Sequence, residues 1–221
     1  MLKQTKEGFW IIKEDTHFGK WVEEARRLDH DRFVLNIIEP HLGCGIVLDV
    51  GANIGTHSYA YSRLINPKKI IAIEPNPECV ECLKRNIPDL HILPIAISDN
   101  IGEVSINLDN QNIGASYVSE GLGIKAYPLD HLVDQIYTLA DEEKISFIKL
   151  DIEGYELKAL KGAYNLINKH KPTMWIEINC QALKRAGSSE GELLDYIKSL
   201  NYKFEEYPYR DIQYDILCTA L

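Results

Sequence analysis

The chain has 221 residues with a formal charge of -9 and a pI near 5.3, long enough for one α/β domain with short additions but not for two comfortable domains. That acidic balance excludes broad contact with nucleic-acid phosphates or an anionic membrane, which needs Lys and Arg to displace counterions. The N-terminus has no signal-like apolar core and no segment approaches the roughly 18 apolar residues of a membrane span, so the expected location is cytoplasmic. Cys44, Cys79, Cys82, Cys180 and Cys218 are an odd number, read most simply as reduced thiols.

Residues 1–45 read as an N-terminal, mainly helical appendage. Phe9 to Ile12 suits a short strand, and Trp21 to Leu42 has helical apolar spacing at Trp21, Ala25, Leu28, Val34, Ile37 and Ile38. Residues 46–221 read as a single domain in which strands and helices alternate: strand 46–50, helix 55–65, strand 70–74, helix 77–86, strand 91–97. Alternation implies right-handed crossovers and a parallel sheet. From about residue 99 to 145 short β-like stretches (103–108, 115–118, 124–127), broken by Asn, Gly and Asp, suggest a β-rich insertion. The rhythm resumes with strand 147–150, a helix from Glu156 to about Asn168, strand 174–178 and a helix from Gly191 to Leu200. Tyr202 to Tyr207 and Tyr214 to Ala220 are strands only about six residues apart, too close for a parallel crossover, so they must pair antiparallel. A parallel sheet ending in an antiparallel strand is unlike the dinucleotide-binding dehydrogenases and is what class I methyltransferases have.

The chemistry concentrates where strand 46–50 runs into Gly51-Ala52-Asn53-Ile54-Gly55. Asp49 is the one charge in a buried run, which implies a compensating polar or cationic group, or a cap on the following turn. Gly51 and Gly55 permit a tight turn and close approach to a ligand. A pyrophosphate loop would carry glycine where Asn53 stands, whereas asparagine offers donor and acceptor together, suited to a zwitterionic amino-acid tail. Glu74, about 20 residues on, is placed to accept both ribose hydroxyls, or else is a solvent-facing strand end. Cys79-x-x-Cys82 lacks a second ligand pair at zinc spacing and reads as helix packing rather than a metal or redox motif.

The chain resembles the FkbM-type family of S-adenosylmethionine-dependent methyltransferases. The resemblance covers roughly residues 45–180 and rests on Asp49-Val50-Gly51-Ala52-Asn53-Ile54-Gly55, Ile73-Glu74-Pro75, Ala96-Ile97-Ser98-Asp99 and Ile148-Lys149-Leu150-Asp151-Ile152-Glu153-Gly154-Tyr155-Glu156. It implies a Rossmann-like class I methyltransferase fold, S-adenosylmethionine as methyl donor, and an oxygen acceptor on a sugar, polyketide or other small molecule. By that resemblance Asp49, Gly51, Ala52, Asn53 and Gly55 surround the methionine tail, Glu74 with Pro75 and Asn76 the ribose, and Ser98 or Asp99 the adenine. His57, in the first turn of the next helix, either touches the cofactor or packs.

Asp151, Glu153 and Glu156 follow the fourth strand, at the carboxyl edge where a reacting group meets the cofactor. A hydroxyl acceptor must lose a proton as the methyl arrives, so a nearby carboxylate or imidazole is useful. Asp151 and Glu153 are the preferred catalytic candidates, Asp151 also as a cofactor contact, while Glu156 equally fits the charge preference of a helix N-terminus. His17 and His30, in the appendage, are further base candidates or plain structural residues. Asp151, Glu153 and Glu177 offer a less favoured alternative, a divalent metal with oxygen ligands. Trp10 and Trp21 line an acceptor pocket or fill core, Gly114, Ala115 and Ser116 suit its far wall, and Lys149 is placed to pair with Asp151. Two other functions compete: an NAD-dependent oxidoreductase, disfavoured by Asn53 and the antiparallel end, and a non-catalytic module binding a partner through the appendage.

Overall fold

In the computed structural model, which describes residues 1–24, 28–43, 45–142, 144–210 and 213–221, the side chains of residues 24, 28–34 and 208–210 are not described. The chain opens with an antiparallel ribbon of β1 (Leu2–Gln4) and β2 (Trp10–Ile12), followed by α1 (Phe18–Glu24) and α2 (Leu28–Leu42). It then enters the main sheet through β3 (Ile46–Val50), α3 (Thr56–Tyr61), β4 (Ile70–Ile73), α4 (Pro77–Asn86) and β5 (His91–Leu93). A second, smaller sheet is built from β6 (Ala96–Ile97), β7 (Gly102–Asn107), β8 (Tyr117–Glu120) and β9 (Ile124–Tyr127). Helix α5 (Leu129–Ala140) leads back to β10 (Ile145–Leu150), and α6 (Glu156–Lys161) and α7 (Tyr164–His170) follow it. The chain continues through β11 (Thr173–Asn179), α8 (Cys180–Arg185), α9 (Glu190–Ser199), β12 (Tyr202–Arg210) and β13 (Gln213–Ala220).

The main sheet has seven strands in the order β12-β13-β11-β10-β3-β4-β5. β5, β4, β3, β10 and β11 run parallel, and β13 pairs antiparallel with both β11 and β12. The antiparallel end expected from the short β12–β13 connection is therefore present. Every residue of β3 and β4 is buried, because helices cover both faces and leave the strands no solvent side. Alternate residues divide between two cores: Ile46, Leu48, Val50, Ile148 and Leu150 pack under α5, α6, α7 and α9, while Val47, Phe147 and Trp175 face Ile38 of α2, Tyr61 of α3 and Leu83 of α4. No helix among the described residues is long and apolar enough to cross a membrane.

Several elements differ from the sequence expectation. The strand expected over 91–97 divides at Pro94, which lacks an amide for a ladder: His91–Leu93 joins β4 and Ala96–Ile97 joins β9. The stretch expected to be a β-rich insertion through 145 contains the twelve-residue helix α5, whose Leu129, Leu132, Ile136 and Ala140 bury one face in the larger core. This helix is the crossover into β10, so the β excursion ends at Tyr127. Asp130 of α5 also accepts from the Asn165 and Leu166 amides at 2.9 and 2.8 Å and so starts α7. The single helix expected after Glu156 is two, and α8 was not foreseen; Asn179 caps it by accepting from the Ala182 amide at 3.1 Å.

The break between α6 and α7 falls at Gly162, where a Cβ would lie 2.2 Å from the Ser98 carbonyl oxygen and 3.1 Å from Pro128. Backbone on both sides leaves no flexible atom to yield. Gly162→Ala is expected to cost about 1–3 kcal/mol or more in a urea denaturation. Gly191→Ala has nothing within 4 Å in α9 and is expected instead to add about 0.4–1 kcal/mol by restricting the unfolded chain. Equal effects from the two substitutions contradict this packing account.

Candidate active site

The turn after β3 is held from below and beside. Gly51 has φ +78, and a Cβ there would fall 1.8 Å from the Asp151 carbonyl oxygen, so the turns after β3 and β10 touch backbone to backbone only because position 51 is glycine. The Gly51 and Ala52 amides donate to the Ile73 carbonyl at 2.9 and 3.2 Å. Asn53 takes a left-handed conformation, φ 50, and its amide donates to Glu74 Oε2 at 2.9 Å. The other Glu74 oxygen accepts from the Asn76 amide at 2.8 Å. Burial raises Glu74 to about 7 against the pull of those two amides. Each of its oxygens keeps a further lone pair for a ligand hydroxyl. Asn76 caps α4 through its Oδ1, which accepts from the Glu78 amide at 3.0 Å, and its Nδ2 is buried with no partner among the described residues.

Across the sheet edge, the Asp151–Glu156 turn is organised by two buried side chains, Glu156 and Lys149. Glu156 Oε1 accepts from the Ile152 and Gly154 amides at 3.0 and 3.2 Å, and Glu153 is fixed in a left-handed conformation, φ 53. Lys149 Nζ lies 3.2 Å from Asp151 Oδ2. Arg185 donates to the Glu153 carbonyl at 3.0 Å and lies 3.8 Å over the Tyr117 ring.

Beyond this turn the wall is acidic. Asp151, Glu153 and Glu177 each bring a carboxylate oxygen within 4.8 Å of the others, a spacing and donor type compatible with a hard divalent cation. Asp215 stands beside Glu177 on β13, in direct register with it, and Gln213 donates to Glu177 Oε1. Burial first, then the charges of Asp151 and Glu156, push Glu153 up to about 8. Burial and then Asp151 push Asp215 to about 8, and burial with Asp151, Glu153 and Glu156 holds Glu177 well above the ordinary carboxylate range.

These walls enclose one cavity of about 730 Å³. Its roof comes from two distant segments: His17, Phe18 and Trp21 of the appendage, and Asn112 to Val118 of the smaller sheet. The Gln111 carbonyl clasps them, accepting from the Thr16 and His17 amides at 3.0 and 2.9 Å and from His17 Nδ1 at 3.1 Å. A carbonyl only accepts, so that contact requires the proton on His17 Nδ1.

The sequence pattern of the methyltransferase FkbM domain spans residues 49–204, across both turns and the strands that carry them. The chain belongs to this methyltransferase family. Hexuronic acid methyltransferase AglP of Haloferax volcanii is 30% identical over 129 residues, 55% of this chain and 51% of that protein. The chain thus spans about half the length of the curated relative it matches. Methyltransferase FkbM from Methylobacillus flagellatus superposes with a TM-score of 0.51 at 21% identity, over 80% of this chain and 43% of that one. Magnesium protoporphyrin IX methyltransferase ChlM from Synechocystis, solved with bound SAM, gives a TM-score of 0.52 at 10% identity, over 92% of this chain and 83% of that one. At these identities the solved structures speak for the fold.

Within this FkbM-domain frame the cavity gathers Gly51, Ala52, Asn53, His57, Glu74, Pro75 and Asn76 on one side, Asp151 and Glu153 on the other, and His17 in the roof. Four residues expected at the cofactor lie outside the lining. Asp49 is fully buried beneath the turn, its Oδ2 accepting from Ser58 Oγ at 2.6 Å. Gly55 begins α3 and faces Leu83. Ser98 and Asp99 bond to each other past the cavity edge, where Ile95, Ala96 and Ile97 form the wall instead. The Asn53 side chain departs from its expected role as well: its Oδ1 accepts from the Ile54 amide at 2.8 Å and the Cys79 thiol at 3.3 Å. The His30 side chain lies outside the described residues. Trp21 lines the cavity, whereas Trp10 stacks under Arg85 at 4.6 Å. Gln213 and Asp215 were not singled out from sequence; only their register opposite β11 brings them in, and no local motif marks them.

Glu156 gives a pH test of this electrostatic picture. Burial raises it from 4.5 to about 7, so folding favours its neutral form: that stability is fully present below the unfolded value and is lost as pH rises through 7. Glu156→Gln keeps an acceptor for both amides without the charge. It is expected to match the parent near pH 4.5 and to exceed it by up to about 3 kcal/mol at pH 8, read from urea melts at the two pH values. A difference that does not change with pH contradicts the assignment.

Proposed function

We propose that this chain is an S-adenosylmethionine-dependent methyltransferase that methylates a hydroxyl of a sugar or similar small molecule. The observation that carries this reading is the single cavity in which the Glu74–Asn53–Asn76 side faces the Asp151–Glu153 turn, in a chain of the FkbM methyltransferase family. Glu74, already tied to two backbone amides, offers its remaining lone pairs to the ribose hydroxyls. The turn Gly51–Asn53 with His57 receives the methionine tail, and the segment Ile95–Ile97 takes the adenine in place of Ser98 and Asp99. Asp49 acts from beneath the turn rather than by contact.

When bound, the cofactor supplies an electrophilic methyl on a sulfonium, which leaves as a neutral thioether. The protein's part is to hold the acceptor oxygen in line with that methyl, an arrangement that removes several kcal/mol of barrier, about 7 or more in well-oriented cases. Asp151 and Glu153 orient the hydroxyl, and one of the two takes its proton as the new O–C bond forms. The amides of Asn179, Gln181 and Gln213 add hydrogen-bonding partners suited to a polyhydroxylated acceptor, and Tyr117 offers an aromatic side chain in the lining. The sugar-directed relative in Haloferax volcanii supports the same acceptor class.

The test begins with titration of the demethylated cofactor, S-adenosylhomocysteine, by calorimetry. Glu74→Ala is expected to weaken binding about tenfold or more through lost charge-assisted hydrogen bonds, and parent-like binding in that variant removes Glu74 from the site. Methyl transfer is then followed by mass spectrometry over a panel of neutral sugars, amino sugars and hexuronic acids. Transfer to a non-sugar panel alone overturns the sugar reading, and absence of cofactor binding overturns the whole.

A further inference from the structure

We infer that Lys149 is a positioning residue whose ammonium bolts the turn after β3 to the carboxylate after β10, setting the geometry in which the cofactor is received. The inference rests on the reading of the cavity just given. Lys149 lies in β10, one of the inner strands of the sheet, in register with Asp49 of β3 and Trp175 of β11, and the residue is 2% exposed. Burying an ammonium is costly unless its three N–H groups are satisfied. Here three oxygens converge on it: the Gly51 carbonyl accepts a hydrogen bond at 2.9 Å, Asp151 Oδ2 pairs with it at 3.2 Å, and Asp49 Oδ1 stands at 3.5 Å, an ion-pair distance without a hydrogen bond. Burial works to lower its pKa, but the Asp151 and Asp49 charges outweigh burial and hold it above the ordinary lysine value.

A stability role alone does not explain this lysine. Buried ion pairs exchanged for apolar residues of similar volume are often neutral or stabilising. What an apolar side chain cannot do is orient three acceptors at once. The peptide between Gly51 and Ala52 is a rigid plane, gripped at its carbonyl by Lys149 and at its amide by the Ile73 carbonyl, 3.2 Å away. With that plane fixed, the next amide, Asn53, is aimed at Glu74. On the other side, Lys149 holds one oxygen of Asp151, whose side chain is 33% exposed, toward the cavity. Asp49 completes the bolt by carrying the connection through Ser58 Oγ into α3.

Removing the lysine alone strands two carboxylates, so the test uses the balanced pair Asp49→Asn with Lys149→Gln, which deletes one charge of each sign and keeps an acceptor for Ser58. S-adenosylhomocysteine affinity is measured by calorimetry beside the melting temperature. The pair is expected to melt near the parent yet bind about tenfold more weakly, as loss of a charge-assisted contact predicts. Lys149→Arg keeps the cation but has a planar fork that cannot meet three converging acceptors equally, and it is expected between the parent and the pair. A folded pair with parent affinity, or an arginine variant no better than the pair, overturns the inference. Should the pair not fold, Lys149→Arg decides: weaker binding at an unchanged melting temperature supports the role, and parent-like binding overturns it. If the parent itself binds no S-adenosylhomocysteine, the cavity reading falls and this inference with it; a binding parent beside an unaffected pair overturns only the role of Lys149.

Discussion

The backbone of Gly51 rests against the carbonyl of Asp151, and the rest of the site follows from that contact. It brings the turn after β3 and the turn after β10 together at the carboxyl edge of adjacent parallel strands, leaving no room for even a methyl group between them. Two consequences arise. The amides of the first turn are directed at Ile73 and Glu74, and the carboxylates of the second are directed across the opening rather than into solvent. A parallel sheet buried on both faces supplies the stiffness, because its inner strands cannot shift without disturbing two cores at once.

Charge is the second organising element. Glu74, Glu153, Glu156, Glu177 and Asp215 are all held above their ordinary values, with burial the largest cause in each. Backbone amides hold Glu74 and Glu156, Arg185 stands beside Glu153, and the Gln213 side chain donates to Glu177. Perturbed carboxylates gathered in one cleft are a recurring property of active sites.

The roof shows how the extra segments serve the sheet. Residues 16 and 17 of the appendage and Gln111 of the smaller sheet are far apart in sequence, yet one carbonyl joins them over the opening. The hydrophobic group beneath, including Ile11, Val22, Ile54 and Ile113, fastens that roof to the turn after β3. The roof of the cavity is therefore built by segments outside the main sheet.

Local patterns determined much of this protein. The buried run Ile46–Val50 ending in Gly51 and Gly55, the acidic residue after the next strand, and the close pair of terminal strands identified the sheet, its antiparallel end and the edge at which the cavity lies. These features are legible because they depend on side-chain period, turn chemistry and loop length, all of which act over a few residues. Helix α5 carries its own sequence signal, Leu129, Leu132, Ile136 and Ala140 at spacings of three and four, and the β-rich expectation for residues 99–145 runs over it. Only the tertiary structure decided that Asp49 lies beneath the cavity, that Ser98 and Asp99 lie past its edge, and that Asp215 and Gln213 enter it from the last strand. Those placements come from strand register and from backbones meeting across long sequence separations, and a contact of that kind leaves no mark on the residues beside it in the chain.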